Sequence, residues 1–403
     1  MSFTITSPSI LSRVVSNNTN IFVINSTNFA QTNFRFIIKV QKLNLSDNNY
    51  TTLITLTKTP DQSGNTYLDI SSILEKQIQG DISINSTGNY ECINGQIRYF
   101  IYAEEWYGSP VIYHGSAVSS NCVEYNGIET FQTYDYELGN TYWLMKYDIG
   151  DTVRGHFLNE CNEYWIDSTE KMFLYFLADP DNRPGYIKFT FSSTETLYKA
   201  ITYTLNESWL NSIPVGIDNL PVSPVSGYTY YDVNLVLSNT GTGSTAYFDT
   251  DTKRIYKQEK CGQYDFSNLF WLNQHGGFDS FIFNKRKYEQ YDIERNMMSK
   301  ILPYKYATSS TFNPSRSKTQ YNSNITQTFK INTDWLNDEQ CKLIKSLFLS
   351  TDVRILETIK GVDYLIPINI LDSSMEVKNT RDYGLYSYEI IFQYSDRKRN
   401  QSN

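Results

Sequence analysis

Apolar and polar residues alternate with a period of two through the first third of the chain. Over residues 33–40, Phe34, Phe36, Ile38 and Val40 fall on one side and Arg35, Ile37 and Lys39 on the other, the pattern of a half-buried strand. Similar runs occupy 20–24, 50–57, 96–102 and 111–116. With the segment that opens at Phe3 and with Cys122–Tyr125 they predict about seven strands, the number of an immunoglobulin-like or fibronectin-like β-sandwich over residues 1–128. One interruption is helical: Ile70, Ile73, Leu74 and Ile78 recur at helix spacing, and Asp69 can cap the start.

Residues 129–227 read as a second β-rich domain. Its clearest strands, 171–177 and 186–191, flank Asp179-Pro-Asp-Asn-Arg-Pro-Gly185 and are expected to form one hairpin. The Pro and Gly residues of Ile213-Pro-Val-Gly216 and of 221–227 predict a linker at the end of this domain. Residues 228–403 then form a third β-rich domain, with strands at 231–237, 246–248 and 386–394 and a helix over 337–349. Asn337 is the expected cap of that helix, Gln340 its capping-box partner and Leu336 a staple onto Cys341, while Cys341, Ile344, Leu347 and Phe348 mark the inward face. The fold class is therefore mainly β: a sandwich, then further β-rich domains, the last carrying one helix packed on a sheet.

Composition narrows the function. The 403 residues are 15% aromatic, with 33 tyrosines, and only 19% charged, which excludes disordered and fibrous chains. A net charge of −8 argues against a chain-wide grip on phosphate backbones, so no direct nucleic-acid binding is expected. The one basic cluster, Arg397-Lys398-Arg399, reads as a solvated tail. The first eight residues have no positive region followed by an apolar one, so no secretory signal is expected. Apolar runs such as 21–24 fall far short of the ~20 residues that span a bilayer. Five scattered cysteines without CxxC spacing predict free, mostly buried thiols, and three histidines outside any HExxH pattern predict no metal site.

The motifs with catalytic precedent fail on context. Gly241-Thr-Gly243-Ser-Thr-Ala246 fits a dinucleotide fingerprint, but no helix pattern follows, so it reads as a hairpin loop. Glu104 and Glu105, beside Trp106 and Tyr107, resemble the acids and platforms of a glycosidase cleft; neighbours in a strand face opposite sides and cannot flank one bond. Asp249-Thr-Asp251 is too short for a calcium loop and reads as a turn. No GxSxG elbow or Walker loop is present, and no cofactor is expected. Tyrosine gives large, stiff, amphipathic contact area, and the set Tyr228, Tyr230, Tyr231, Tyr383, Tyr386, Tyr388 and Tyr394 reads as exposed. Of these, Tyr228, Tyr230, Tyr383 and Tyr386 are the candidate interface residues.

Four segments carry a resemblance. They are Phe270-Trp-Leu-Asn-Gln-His-Gly-Gly-Phe-Asp-Ser-Phe-Ile-Phe283, Thr333-Asp-Trp-Leu336, the helix ending in Leu349-Ser350, and Leu365-Ile-Pro-Ile-Asn-Ile370. Over residues 261–397 the chain resembles a type of virion structural protein of tailed bacteriophages, especially phages of Bacteroidetes hosts including crAss-like ones. The pattern singles out Trp271, Asn273, Gly276, Gly277, Asp279, Trp335 and Pro367 as structural-motif residues. It implies a tail or baseplate component without cofactor or turnover, assembled in the host cytoplasm. Its partners would be other virion proteins, and many copies would be arranged as a ring or trimer. Two other classes compete with this: an adhesin that binds receptors or carbohydrates by stacking Trp106 on sugars, and a glycoside hydrolase using Glu104 and Glu105.

Overall fold

The apolar sides of the alternating runs meet as two facing sheets. A computed structural model describes residues 3–6, 13–15, 20–44, 49–119, 122–125, 148–149, 156–178, 185–192, 196–201, 210–224, 226–238, 246–249, 251–258, 264, 266–299, 318–371 and 386–395. The first strands are β1 (Phe3–Thr6), β2 (Arg13–Val15), β3 (Ile21–Ser26), β4 (Arg35–Asn44), β5 (Asn49–Lys58), β6 (Asn65–Asp69), β7 (Tyr90–Glu91), β8 (Gln96–Tyr107), β9 (Ile112–Val118) and β10 (Cys122–Tyr125). One sheet runs β1-β3-β6, the other β2-β10-β8-β4-β5 with β9 also on β8. Three strands against a β5-β4-β8-β9 face is the layout of a fibronectin-like sandwich. Phe22, Ile24 and Leu68 from the first sheet pack with Phe36, Ile38, Val40, Ile97, Tyr99 and Ile101 from the second. The Asn20 side chain donates to the Tyr99 hydroxyl across this core at 2.6 Å. The short helix is Ser71–Leu74, continued as a 3-10 turn over Glu75–Gln77. Asp69 starts it from one position further out, taking the Ser71 N–H at 3.1 Å.

Next come β11 (Asp148–Ile149), β12 (Glu163–Ile166), β13 (Phe173–Ala178), β14 (Gly185–Phe191), β15 (Thr196–Ile201), β16 (Leu210–Pro214), β17 (Tyr230–Ser238), β18 (Ala246–Asp249) and β19 (Lys253–Lys257). They form the sheets β11-β13-β16-β7 and β12-β19-β17-β14-β15, with β18 on β17. The expected hairpin of 171–177 with 186–191 is absent: β13 pairs with β16, and β14 pairs with β15 and β17 in the other sheet. A Pro- and Gly-rich turn fixes a change of direction, not the partner. Nor is Ile213-Pro-Val-Gly216 a linker. Every residue of β16 is buried, as is Val215. Gly216 is there for close approach, since a Cβ on it would sit 2.4 Å from the Met172 nitrogen. The strands flanking the glycine-rich 241–246 motif do pair antiparallel, Leu237 opposite Phe248, as a hairpin loop requires.

By compactness the chain forms two units that do not follow boundaries at 128 and 227. The first comprises Met1–Lys260, Phe270–Ile282 and Asp338–Asp352; the second comprises Cys261–Leu269, Phe283–Asn337 and Val353–Asn403. Pairing across those boundaries is the reason: β7 pairs with β16, and β17 pairs with β14. The remaining strands are β20 (Ser267–Leu272), β21 (Phe278–Phe283), β22 (Tyr288–Ser299), β23 (Lys318–Asn332), β24 (Val353–Ile359), β25 (Val362–Ile370) and β26 (Glu389–Tyr394), with a helix over Asp338–Leu349. In the second unit the strand order is β24-β25-β26-β23-β22. Its covered face holds Val353, Ile355, Ile368, Ile390, Phe392, Phe329 and Ile331. Among the described residues no helix is long and apolar enough to cross a membrane.

Cys92 and Cys161 are buried and free, and Cys341 is half-buried. Burial pushes both buried thiols up, helped by Asp81 beside Cys92 and Asp279 beside Cys161. Neither should react with iodoacetamide at neutral pH until the chain is unfolded. Peptide mapping that finds either one alkylated in the folded chain would contradict this packing.

Candidate functional site

Five of the seven motif residues converge inside the first unit. In the β20–β21 turn the Asn273 side-chain oxygen accepts the N–H groups of His275 at 3.0 Å and Gly277 at 3.1 Å. Gly276 takes φ +92°, a conformation that favours glycine. At Gly277 a Cβ would stand 2.9 Å from the Tyr175 Cβ, so the turn fits only without a side chain there. The Asn273 amide donates to the Leu158 carbonyl and to Asp279 Oδ2, both at 2.9 Å. Asp279, 1% exposed, also accepts from the Asn159 side chain at 2.9 Å and the Glu160 N–H at 3.3 Å. Burial raises the Asp279 carboxyl, against the opposing donors Asn273 and Asn159. Nearby, buried Lys253 pairs with Asp251 at 3.0 Å and donates to Asn162 at 2.9 Å. Asp251, read as part of a turn, is therefore a partner in this ionic cluster. Trp271, fully buried, donates its indole N–H to Ser346 Oγ at 2.8 Å.

That last bond corrects the reading of the helix face. Leu343, Ile344, Ser346 and Leu347 point inward, whereas Cys341 and Phe348 are only half-buried. Ser346 is a polar residue on the inner face because it is the acceptor Trp271 needs. Among the described residues no cluster of three or more His, Cys, Asp or Glu is placed to hold a metal ion. The bonds from Asn159, Asn273 and Asp279 fasten the hairpin to residues 157–175.

The second unit carries an open cleft. Tyr264, Lys285, Arg286, Tyr288, Trp335 and Asp334 line a cleft of about 410 Å³, completed by Asn332, Thr333 and Ser387. Trp335 is 67% exposed, a large apolar plate left in water. Lys285 and Asp334 pair at 3.0 Å, and the Arg286 guanidinium lies 5.3 Å from the Tyr288 ring centre. Lys287, by contrast, is used internally: its ammonium sits 4.7 Å over Phe329 and 5.9 Å over both Phe392 and Tyr394, and 3.4 Å from Glu357. Pro367, the seventh motif residue, stands exposed in β25 beside the start of the β26 pairing, and its carbonyl accepts the Ser395 N–H at 3.1 Å.

Strands β22 and β23 form a ribbon paired from Tyr288–Lys330 to Ser299–Lys318. Nearly every side chain of β22 is exposed, and β22 ends the strand order, so among the described residues nothing pairs with its outer edge. Cross-strand pairs put Glu289, Tyr291, Ile293, Ile325, Gln327 and Phe329 on one face, and Gln290, Asp292, Thr326 and Thr328 on the other. On the first face Tyr291 and Gln327 donate to Glu289, and Ile293 and Ile325 form the apolar part. Ile293 and Ile325 stand directly opposite each other and both are exposed.

The interface tyrosines are only partly brought together. Tyr228 and Tyr230 are half-buried in the first unit, Tyr228 against Phe191 and Tyr231, Tyr230 under the Arg254 guanidinium at 4.5 Å. Tyr386 is half-buried in the second unit and bridges to Leu336. Tyr383 and the 397–399 cluster lie outside the described residues. Tyr231 and Tyr388 are core residues, not exposed ones; the Tyr231 hydroxyl donates to the Val215 carbonyl between two sheets. Sequence reasoning missed the β22–β23 ribbon and the exposure of Trp335. The ribbon did carry a signal, since 288–299 lacks the apolar period of a covered strand.

The proposed glycosidase acids are held apart. Glu104 accepts from Lys39 at 2.9 Å and from the Trp106 indole at 2.8 Å, while Glu105 is buried and accepts from Asn28 at 3.2 Å. Burial works to raise the Glu104 carboxyl, but Lys39, Trp106 and Tyr102 together outweigh it and hold the carboxyl below the usual range. Trp106 is half-buried with its N–H engaged, so it offers a poorer platform than Trp335.

No family model matches the chain, and no curated protein matches it. Among solved structures it is similar to the fibronectin(III)-like modules of Clostridium thermocellum CbhA, at 9% identity over 64% of this chain and 95% of that one, with a TM-score of 0.17.

Proposed function

We propose that this chain is a non-enzymatic structural component of a bacteriophage virion, of the tail or baseplate, joining neighbouring virion proteins in a symmetric assembly. The observation that carries the reading is the β22–β23 ribbon. A two-stranded ribbon is marginal in water unless something covers its apolar face. A long unpaired edge is a template for another chain. Tyr291, Ile293 and Ile325 on one face, with the β22 edge beside them, have the make-up of an arm completed by a neighbour. The resemblance over 261–397 supports the virion setting, and sandwich modules with aromatic surfaces suit a rigid brick that repeats one contact around an axis.

Two measurements test it. Mass spectrometry of purified phage particles should find the chain among the virion proteins, and its absence there would remove the virion reading. The purified chain should form a discrete oligomer that the double change Ile293→Lys and Ile325→Lys reduces to monomer. Because both side chains are exposed, the variant chain should still fold, with a cooperative melt and the parent's circular-dichroism spectrum. An oligomer untouched by the double change would show that the arm is not the contact.

A further inference from the structure

We propose that the Trp335 cleft is a binding site for an acidic saccharide, with a pyranose ring lying on the indole and its carboxylate on Arg286. The inference is independent of the assembly reading, because it rests on other residues. The cleft volume, about 410 Å³, falls within the range of about 300–1,000 Å³ typical of ligand pockets. Three rings line it, Tyr264, Tyr288 and Trp335, and each is at least 41% exposed. The rest of the lining is polar. A ligand that suits such a wall has a flat apolar face and a rim of hydroxyls, which describes a sugar ring.

Charge selects among sugars. Lys285 and Asp334 neutralise each other at 3.0 Å, which leaves Arg286 as the surplus cation; among the described residues no carboxylate pairs with it. A planar guanidinium held against the Tyr288 ring is preset for a bidentate carboxylate. An apolar ligand would need an enclosed, mostly apolar wall. Single-stranded nucleic acid would use rings and cations too, but it needs a run of cations along its backbone, and this cleft has one to spare.

The test uses the full-length chain on an array holding uronate- and sialate-containing glycans beside neutral ones, followed by titration of the best acidic hit and a neutral oligosaccharide. Acidic glycans should bind about tenfold tighter than neutral ones at low salt, and the preference should shrink as salt rises. Trp335→Ala should weaken binding at least about tenfold, while Arg286→Gln should reduce the acidic preference to about twofold or less. Trp106→Ala should change nothing. Both cleft side chains are exposed, so a thermal melt should show the two variants folded like the parent. The proposal fails if no acidic glycan binds, if neutral glycans or a single-stranded oligonucleotide bind as well, or if Trp335→Ala leaves binding intact.

Discussion

Asp279→Ala should cost the first unit about 2–5 kcal/mol, because it removes the acceptor shared by several buried donors. The wild-type carboxylate accepts from Asn159 and Asn273 at 2.9 Å and from the Glu160 N–H at 3.3 Å, all in a site shielded from water. Alanine takes the acceptor from the Glu160 N–H and from one Asn273 N–H, which then carry their desolvation cost, while Asn159 keeps the Phe173 and Phe278 carbonyls at 3.1 Å and Asn273 keeps that of Leu158 at 2.9 Å. Asp279→Asn keeps the shape but turns an NH2 group toward donors, and should cost about 1–3 kcal/mol. The sign of the pH effect is fixed by the raised carboxyl. The folded chain holds the Asp279 proton more tightly than the unfolded chain, whose carboxyl titrates near about 3.9. This contribution to stability is complete below that value and is lost as pH rises through the folded value, a slope that Asp279→Asn abolishes. Urea denaturation at several pH values measures both effects. An alanine variant within about 1 kcal/mol of the parent would mean that the network is not a lock.

Local period and turn chemistry read well wherever one strand decides its own fate. Phe34, Phe36, Ile38 and Val40 are buried as their alternation requires, and Gly276 and Gly277 do make the reversal. What the sequence hides is the choice of partner. Tyr90 pairs with Ser212 and Phe191 with Tyr231, and no periodicity within a short window encodes either pairing. For the same reason the Pro and Gly of 213–216 read as punctuation, although Gly216 is a packing residue pressed on the backbone of Met172. Tyr231 and Tyr388 are indistinguishable from surface tyrosines by composition, because a tyrosine is at home in a core too, as Tyr231 is with its hydroxyl bonded to the Val215 carbonyl. Trp335 errs the other way: its type says buried, and only the fold around it leaves it in water. The candidate site was therefore half legible. Its motif residues could be named, but which of them lie inside and which face solvent depends on tertiary contacts.

Trp271→Ala should cost about 3–5 kcal/mol, the usual loss for a large aromatic removed from a packed core. The more informative variants separate packing from the hydrogen bond. Ser346 Oγ accepts from the indole at 2.8 Å and donates to the Leu343 carbonyl at 2.8 Å. Ser346→Ala therefore strands a buried indole N–H and should cost about 1–3 kcal/mol, although it removes only one oxygen. Trp271→Phe strands nothing, since Ser346 still has Leu343, and its cost is mainly the unfilled volume. In the double variant the stranded donor is gone, so the two changes should sum to less than their separate costs by about 1 kcal/mol. Strict additivity in a double-mutant cycle would mean that the indole N–H finds another acceptor. The bond also joins two segments of the first unit, the hairpin within Phe270–Ile282 and the helix within Asp338–Asp352, which lie more than fifty residues apart in sequence. Weakening it should therefore raise hydrogen exchange in the helix and the hairpin together, ahead of the amino-terminal sandwich, whose core around Phe36 and Ile101 contains neither segment.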